Sequence, residues 1–233
     1  MKILALIAAR GGSKRLPRKN IRLLGDKPLI VWSIDVVKGM PNICDILVST
    51  DDPEISDICI KEGVSVPWLR PQALATDVAT SADVAIHALD WYEANKGEVD
   101  GLLFLQPTSP FRSRHTILRA IELFESNKLV PIVAISPTPA HPLWSLKLEG
   151  GYAVPFLSDD GLNIRSQELR PVYVVTGSVY LISPQQLRKN NSFAAAKMQP
   201  LLISSPQEAI DIDTEWDFRM AEQCLNDWVN YLK

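Results

Sequence analysis

A basic segment that contains two adjacent glycines follows the first apolar run of the chain. Gly11 and Gly12 let backbone amides approach a ligand closely, and five cations stand within ten residues: Arg10, Lys14, Arg15, Arg18 and Lys19. A cation-rich turn after a buried strand suits a polyphosphate. The Walker and GxGxxG patterns are absent, which disfavours a P-loop kinase and a typical dinucleotide-binding dehydrogenase. A solvated basic loop is the alternative, and the position at a strand end disfavours it.

Two aspartates near the other end of the sequence are the second candidate. Asp211 and Asp213 alternate with Ile210 and Ile212, so in an extended segment both carboxylates face one side. Two close carboxylates repel each other unless a cation joins them, and hard oxygen ligands beside a triphosphate suit Mg²⁺. The alternative is that Asp213 caps the last helix. Taken with the basic loop, the pair favours a metal site.

The loop Leu105–Arg112 (LQPTSPFR) is the third candidate. Two prolines stiffen this loop, and Gln106, Thr108 and Ser109 offer donors and acceptors for a polyhydroxylated ligand. Taken alone, the loop is better explained as a rigid turn before the next helix.

Four further positions are weaker candidates. Arg70 is typical of a surface cation, and Ser81 is first of all a candidate helix N-cap. His87 lies on an apolar helical face and is better explained as a packed histidine. His141 is either structural or close to substrate.

Short apolar runs and helical patterns alternate along the chain, and these elements must position the charged groups. The alternation predicts an α/β fold with a mostly parallel sheet and helices on both faces. The predicted strands are Ile3–Ala9, Asp45–Thr50, Val64–Trp68, Gly101–Leu105, Val130–Ser136, Ser178–Ser183 and Pro200–Ser204. The predicted helices are Pro28–Lys38, Asp52–Glu62, Ser81–Asn95, Thr116–Ser126 and Thr214–Tyr231.

The middle of the chain has a different pattern. Residues 137–176 are rich in Pro and Gly and carry broken hydrophobic runs, which indicates an inserted arm with strands of its own. We expect one domain formed by 1–136 and 177–233, with the arm making a subunit contact. An exposed loop is the open alternative.

The amino-acid composition limits the classes of protein to which the chain can belong. The 233 residues carry a net charge of −3, which disfavours bulk nucleic-acid binding. Three widely spaced cysteines and no CxxC pair fit a reduced, cytoplasmic setting. The apolar run Ile3–Ala9 is short and ends in a basic segment, so a buried strand is favoured over a signal peptide. No run approaches the roughly 20 apolar residues of a membrane span, so no membrane partner is expected.

In their order along the chain, these motifs resemble the acylneuraminate cytidylyltransferases, which are the CMP-sialic acid synthetases. The resemblance covers nearly the whole chain. The matching segments are RGGSKRLPRKN (10–20), GDKPLI (25–30), STD (49–51), LRP (69–71), LQPTSPFR (105–112) and IDIDT (210–214).

The resemblance implies a Rossmann-like nucleotidyltransferase fold and a homodimer built through the arm. It also implies transfer of CMP from CTP to a nine-carbon keto-sugar acid, with release of pyrophosphate. Arg10, Lys19 and Asp211 would carry catalysis, and Asp211 and Asp213 would bind Mg²⁺, for which Mn²⁺ can substitute. The substrate contacts would be Arg10, Ser13, Lys14 and Lys19 on the triphosphate, Asn20, Arg70 and Ser81 on the cytidine, and Gln106, Arg165, Gln167, Tyr180 and Phe193 in the sugar region.

Three departures from the family pattern fall in the presumed sugar region. Ser166 stands where sialate enzymes tend to show a second arginine, Thr176 and Ser178 flank Gly177 where Asn and Ala are common, and Ala194 follows Phe193 where some members have a second Phe. Legionaminic acid or another bacterial sialic-type sugar is therefore an option. The alternatives are a cytidylyltransferase for ketodeoxyoctonate or pseudaminic acid, another nucleotidyltransferase that uses phosphorylated sugars, and a non-catalytic nucleotide-binding protein.

Overall fold

The fold is built on one six-stranded sheet. In this computed structural model, which describes residues 1–157 and 161–231, the strand order is β10-β6-β9-β5-β1-β4. The strands are β1 (Ile3–Ala8), β2 (Leu23–Leu24), β3 (Lys27–Pro28), β4 (Ile43–Ser49), β5 (Gly101–Leu105), β6 (Ile132–Pro137), β7 (Leu146–Glu149), β8 (Tyr152–Pro155), β9 (Tyr173–Ile182) and β10 (Gln199–Leu202). Strand β1 pairs in parallel with β4 and β5, and β10 pairs in parallel with β6. Only β9 runs antiparallel within this sheet, so the mostly parallel α/β prediction is confirmed.

Helices cover both faces of the sheet. They are α1 (Leu29–Val37), α2 (Pro53–Lys61), α3 (Ser81–Lys96), α4 (Arg114–Ser126), α5 (Pro184–Asn190) and α6 (Glu215–Tyr231). Alternate residues of β1 enter opposite cores: Ile3 and Ile7 pack with residues of α1 and α4, whereas Leu4 and Leu6 pack with residues of α3. This alternation explains why β1 is apolar throughout, because a strand covered on both faces has no solvent side.

Two predicted elements differ in the structure. The segment Val64–Trp68 is not a continuous strand: Ser65 forms an isolated bridge to Leu47, and Leu69, just after the segment, forms another to Thr50. Pro67 lacks the backbone donor that a continuous ladder needs. Helix α5 was not predicted, because its seven residues are too short for a periodic pattern.

The inserted arm contains a hairpin but ends earlier than predicted. Strands β7 and β8 pair with each other in a separate two-stranded sheet. Strand β9 begins at Tyr173, so residues 173–176 run in the central sheet, where Val175 pairs with Ile135 of β6. The apolar, β-branched residues there suit a strand, which the predicted boundary at 176 overlooked. Residues 158–160 of the predicted arm lie outside the described residues.

Candidate active site

A cleft opens beside the carboxyl ends of β1 and β5. It consists of three adjoining cavities of about 570, 270 and 390 Å³, and Gln106 lines all three. We call them the phosphate cavity, the nucleoside cavity and the sugar cavity, in that order, after the ligands expected in each. The shared wall makes them one continuous cleft, at the edge where open α/β sheets bind ligands.

The basic loop lines the phosphate cavity with side chains that the sequence singled out: Arg10, Ser13, Lys14, Lys19 and Asn20, joined by Arg15. Two hydrogen bonds hold the loop in place. Asn20 donates from Nδ2 to the carbonyl of Arg10 at 2.9 Å, and the Gly11 amide donates to Asp51 Oδ1 at 3.0 Å. A β-carbon on Gly11 would lie 2.5 Å from Asp52 Oδ2, so the loop needs glycine to approach the start of α2.

Asp211 and Asp213 line the same cavity. Ile212 is fully buried between them, and its amide donates to the carbonyl of Thr108 at 2.7 Å. The pair is therefore anchored to the LQPTSPFR loop. The two most separated motifs of the sequence meet across one cavity, as their expected roles require.

Asp213 is already paired with two cations of the basic loop. Lys19 Nζ lies 3.0 Å from Oδ1 and 2.8 Å from the carbonyl of Ile212, while Arg15 lies 2.6 Å from Oδ2. Asp213 does not cap α6, because Thr214 accepts the amide of Asp217 at 3.3 Å and donates back to its carboxylate at 2.8 Å. The helix-cap alternative is thus wrong, and the Asp213 carboxylate faces the basic loop.

Asp211 has a raised pKa. Desolvation by the cavity walls is the largest cause, and repulsion from the Asp213 carboxylate adds to it. A hydrogen bond with Thr108 and the charge of Lys19 act in the opposite direction. Although Asp211 can be reached from the cleft, it is a partly desolvated carboxylate that a cation would stabilise.

The two carboxylates fit a magnesium ion by their chemistry. Mg²⁺ is commonly held by one or two carboxylates and completed by substrate phosphates and water. Within residues 1–157 and 161–231, no group of three or more His, Cys, Asp or Glu side chains could hold a metal ion. A divalent ion held here by the two carboxylates would take its remaining ligands from substrate phosphates and water.

Asp77 is a cavity residue that sequence reasoning missed. Its carboxylate accepts from Arg10 Nη1 at 2.7 Å and from Lys14 Nζ at 2.6 Å. Hydrogen bonds from Lys14 and Arg10 lower the pKa of Asp77. No local pattern marks this residue, because it stands alone in a polar loop between Thr76 and Val78.

Arg70 and Ser81 both line the nucleoside cavity. Arg70 is buried, not a surface cation: its Nε donates to Ser49 Oγ at 2.9 Å, and it also bonds the Ser49 carbonyl. Burial lowers the pKa of Arg70 to about 10. Ser81 is not the helix cap, because Thr80 fills that position in a capping box with Asp83. Ser81 is thereby left facing the cleft.

Gln106, Tyr180 and Phe193 come together in the sugar cavity. The Phe193 ring lies 4.7 Å from Phe104 and 5.3 Å from Tyr180, centroid to centroid. Gly177 supports this wall with a φ of +74°, and a β-carbon there would lie 2.7 Å from Gln106 Oε1. The backbone angle favours glycine, and an added methyl group would displace the Gln106 amide.

Arg112 holds the LQPTSPFR loop from behind. It is buried and donates to the Ser178 carbonyl at 2.5 Å, to Ser33 Oγ at 2.9 Å and to the Gln106 carbonyl. Burial lowers its pKa to about 9. The guanidinium joins β9 to the loop, which fixes the backbone of Gln106 relative to the sugar cavity.

Two predicted substrate contacts lie elsewhere. Arg165 and Gln167 are exposed in the arm and line none of the three cavities. His141 also lies in the arm, where it accepts the Leu143 amide at 3.2 Å. His87 packs against Trp68 with ring centroids 5.2 Å apart, as a structural histidine would.

None of the helices described here is long and apolar enough to cross a membrane.

Two solved structures share this fold over nearly the whole chain. One is CMP:2-keto-3-deoxy-manno-octonic acid synthetase complexed with CTP, with a TM-score of 0.71 and 15% identity, covering 97% of this chain and 99% of that chain. Another is the 4-diphosphocytidyl-2C-methyl-D-erythritol synthase of Anaerococcus prevotii, with a TM-score of 0.64 and 16% identity, covering 96% and 98%. Identities this low establish the fold alone.

The sequence establishes the family. Residues 4–142 match the cytidylyltransferase family model, and the chain belongs to this family. It is 41% identical over 229 residues to CMP-N,N'-diacetyllegionaminic acid synthase of Legionella pneumophila, covering 97% of each chain. It is 34% identical to N-acylneuraminate cytidylyltransferase of Streptococcus agalactiae and spans about half (52%) of that protein's length. It is 30% identical to pseudaminic acid cytidylyltransferase of Campylobacter jejuni, covering 95% of each.

Proposed function

We propose that this chain transfers CMP from CTP to the anomeric hydroxyl of a nonulosonic acid and releases pyrophosphate. The observation that carries the proposal is the continuous cleft. One end gathers cations and three carboxylates, and the other end is an uncharged cavity that shares Gln106 with the first. A triphosphate and a sugar bound at the two ends would meet at that residue.

The chemistry follows from the positions of the chain's own side chains. The anomeric oxygen attacks the α-phosphorus, the bond from that phosphorus to the bridging oxygen breaks, and pyrophosphate leaves while the hydroxyl proton passes to solvent. Arg10 and Lys14 would bind the departing phosphates, with Arg suited to two parallel contacts and Lys to a point charge. Lys19, buried and anchored to the Ile212 carbonyl, would place a fixed charge beside them.

Asp211 and Asp213 would hold Mg²⁺, or Mn²⁺ in its place. When bound, the ion neutralises phosphate charge and acidifies an attacking hydroxyl. Desolvation and the neighbouring Asp213 carboxylate raise the pKa of Asp211, and this supports the assignment because a bound cation would stabilise the charged form. Arg15, which is exposed and pairs with Asp213 here, would then turn toward the phosphates, whereas Lys19 would keep its position.

A homodimer built through the arm would complete the sugar cavity. No charged residue of the described chain lines that cavity, although a nonulosonic acid carries a carboxylate. The arm exposes Leu148 by 86%, Tyr152 by 75% and Phe156 by 61%, which is typical of a covered contact surface. Arg165 and Gln167, remote from their own cleft, would then reach the sugar of the second copy.

Sedimentation tests the dimer. Leu148→Glu should dissociate it, because a charge buried in an apolar contact is costly. Ile60→Glu places the same charge on an exposed aliphatic position of α2 and should leave the dimer intact. A wild-type protein that sediments as a monomer at all concentrations would contradict the role of the arm.

The proposed setting is cytoplasmic, where CTP is available.

The reaction itself is tested by product mass. The protein is incubated with CTP, Mg²⁺ and, in turn, N-acetylneuraminic acid, N,N'-diacetyllegionaminic acid, pseudaminic acid and ketodeoxyoctonate. Parallel reactions replace CTP by ATP, GTP or UTP. A CMP-sugar with equimolar pyrophosphate is expected from CTP and a nine-carbon acid. Product from ketodeoxyoctonate alone, or nucleotide binding without any product, would overturn the proposal.

A further inference from the structure

The sugar cavity has an unusual chemical character for a site that would hold a polyhydroxylated ligand. Seven of its thirteen lining residues are apolar: Ala82, Phe104, Val133, Val175, Phe193, Ala194 and Met198. The remaining six are uncharged polar residues: Thr80, Ser81, Gln106, Tyr180, Asn191 and Ser192. A ligand with hydroxyls on every side would leave some of them against carbon, at the cost of their hydrogen bonds to water.

The wall that carries Ala194 is held in a defined position. Phe193 is buried against Phe104 and Tyr180, and the Ala194 amide donates to Ser192 Oγ at 3.0 Å. The ring contacts and this local hydrogen bond fix the backbone that leads into residue 194. Its methyl group therefore sets how far the wall projects, and a larger side chain there would reduce the free volume.

Met198 lies on the same connection between α5 and β10 and is half-buried in the cavity wall. Its thioether is apolar and has three rotatable bonds, so it adapts to a methyl group but supplies only a weak acceptor. Ala194 and Met198 thus give this part of the cavity, the recess, an apolar and adjustable lining.

We propose that Ala194 and Met198 determine which nonulosonic acid is used, selecting sugars that present acylamino methyl groups and a terminal methyl over sugars with a hydroxylated tail. This inference rests on the proposed function. The chemical class is a nonulosonic acid with two acetamido groups and a deoxygenated terminal carbon. Such a sugar places carbon where the recess is apolar and keeps its polar amides for Gln106 and the hydroxyls of the cavity.

The test compares kcat/KM for two sugars, N,N'-diacetyllegionaminic acid and N-acetylneuraminic acid, at saturating CTP. The wild type should favour the diacetamido sugar by about tenfold or more, which is the discrimination expected when an apolar recess is filled. Met198→Gln keeps the length of the side chain and adds an amide, so it should reduce this preference by about tenfold. Ala194→Phe should lower kcat/KM mainly for the diacetamido sugar, with the KM for CTP unchanged.

Matched controls separate the recess from general damage. Ala196→Phe adds the same ring two residues away, at an exposed position outside the cavity lining, and Met220→Gln makes the same exchange on exposed α6. Both should retain the wild-type preference. Because the measured quantity is a ratio between two sugars, a variant that is merely less stable would lower both rates and leave the ratio unchanged.

The outcomes distinguish the two proposals. Turnover with an unchanged ratio in both Met198→Gln and Ala194→Phe would overturn the specificity assignment and leave the proposed reaction standing. A wild type that prefers the hydroxylated sugar would also overturn it. If the wild type releases no pyrophosphate with any nonulosonic acid, the proposed function itself fails and the assignment fails with it.

Discussion

The two ends of the cleft differ in the charge of the residues that line them. Seven of the thirteen residues that line the phosphate cavity are charged: Arg10, Lys14, Arg15, Lys19, Asp77, Asp211 and Asp213. None of the described residues that line the sugar cavity is charged. The first end takes its residues from strand ends and loops tied to them, whereas the second depends on β9 and on the connection that follows α5. The charged end is formed by one chain, and the uncharged end has the apolar lining that the proposed sugar specificity requires.

The largest expected effect is on the charged end. Asp211→Asn should reduce turnover by on the order of 10²-fold or more, because it removes one of two carboxylates proposed for the metal. Thermal stability should be maintained or raised, since the pKa of Asp211 is raised by desolvation and the substitution removes that cost. Turnover and melting temperature are measured together.

Asp227→Asn, at an exposed position of α6, is the matched control and should change neither quantity. Near-normal turnover of Asp211→Asn at saturating Mg²⁺ would remove Asp211 from the mechanism.

A smaller effect is expected where the two ends meet. Gly177→Ala should lower kcat/KM for the sugar about tenfold, because the new methyl group would displace Gln106 from its position. Gly39→Ala has a nearly equal φ of +75° but nothing within 4 Å of the new methyl group. Both should cost about 1–2 kcal/mol of stability for the left-handed conformation.

Steady-state kinetics with the sugar varied at saturating CTP separates these variants. If Gly177→Ala and Gly39→Ala lose stability equally and keep wild-type kcat/KM, Gln106 does not need the support of Gly177.

The smallest effect concerns competition within the charged end. Asp77 holds Arg10 and Lys14 in the protein alone, so Asp77→Asn should lower the Kd for CTP, by about two- to fivefold as expected for exposed ion pairs. The effect should shrink at high salt. Since the pKa of Asp77 is lowered, the wild-type carboxylate stays charged across neutral pH and the difference should be constant there.

Calorimetric titration measures the Kd, with Asp57→Asn on exposed α2 as the control. Weaker CTP binding by Asp77→Asn would instead indicate that Asp77 positions the cations productively.

The two ends also differ in how many of their residues could be predicted from the sequence. The basic loop and the aspartate pair carry a local signal, because cations beside glycines and alternating acids are visible without a structure. Their meeting follows from the parallel strands that bring loops to one edge. Asp77 has no such signal, since only the path of its loop brings it to Arg10. Arg165 and Gln167 match the family in sequence, but the structure places both on the exposed arm, away from the cleft of their own chain.

Three further features differ from the sequence prediction, two for local reasons and one because of distant contacts. Pro67 interrupts a segment whose apolar residues favour a strand. Thr80, not Ser81, caps helix α3, because Asp83 completes a capping box with Thr80. Arg112 was part of a recognised motif, but its burial behind the cleft depends on acceptors from β9 and α1 that are distant in sequence. Motif residues were therefore easier to find than the tertiary contacts that hold them.

The central claim is that the basic loop and the aspartate pair act on one nucleotide. The most direct measurement is an anomalous difference map from crystals of the protein grown with CTP and Mn²⁺. We expect one strong peak bonded to Asp211, Asp213 and the triphosphate, with Arg10 and Lys14 released from Asp77 onto the phosphates. A triphosphate bound away from both aspartates, or a metal peak that touches neither carboxylate, would contradict the claim.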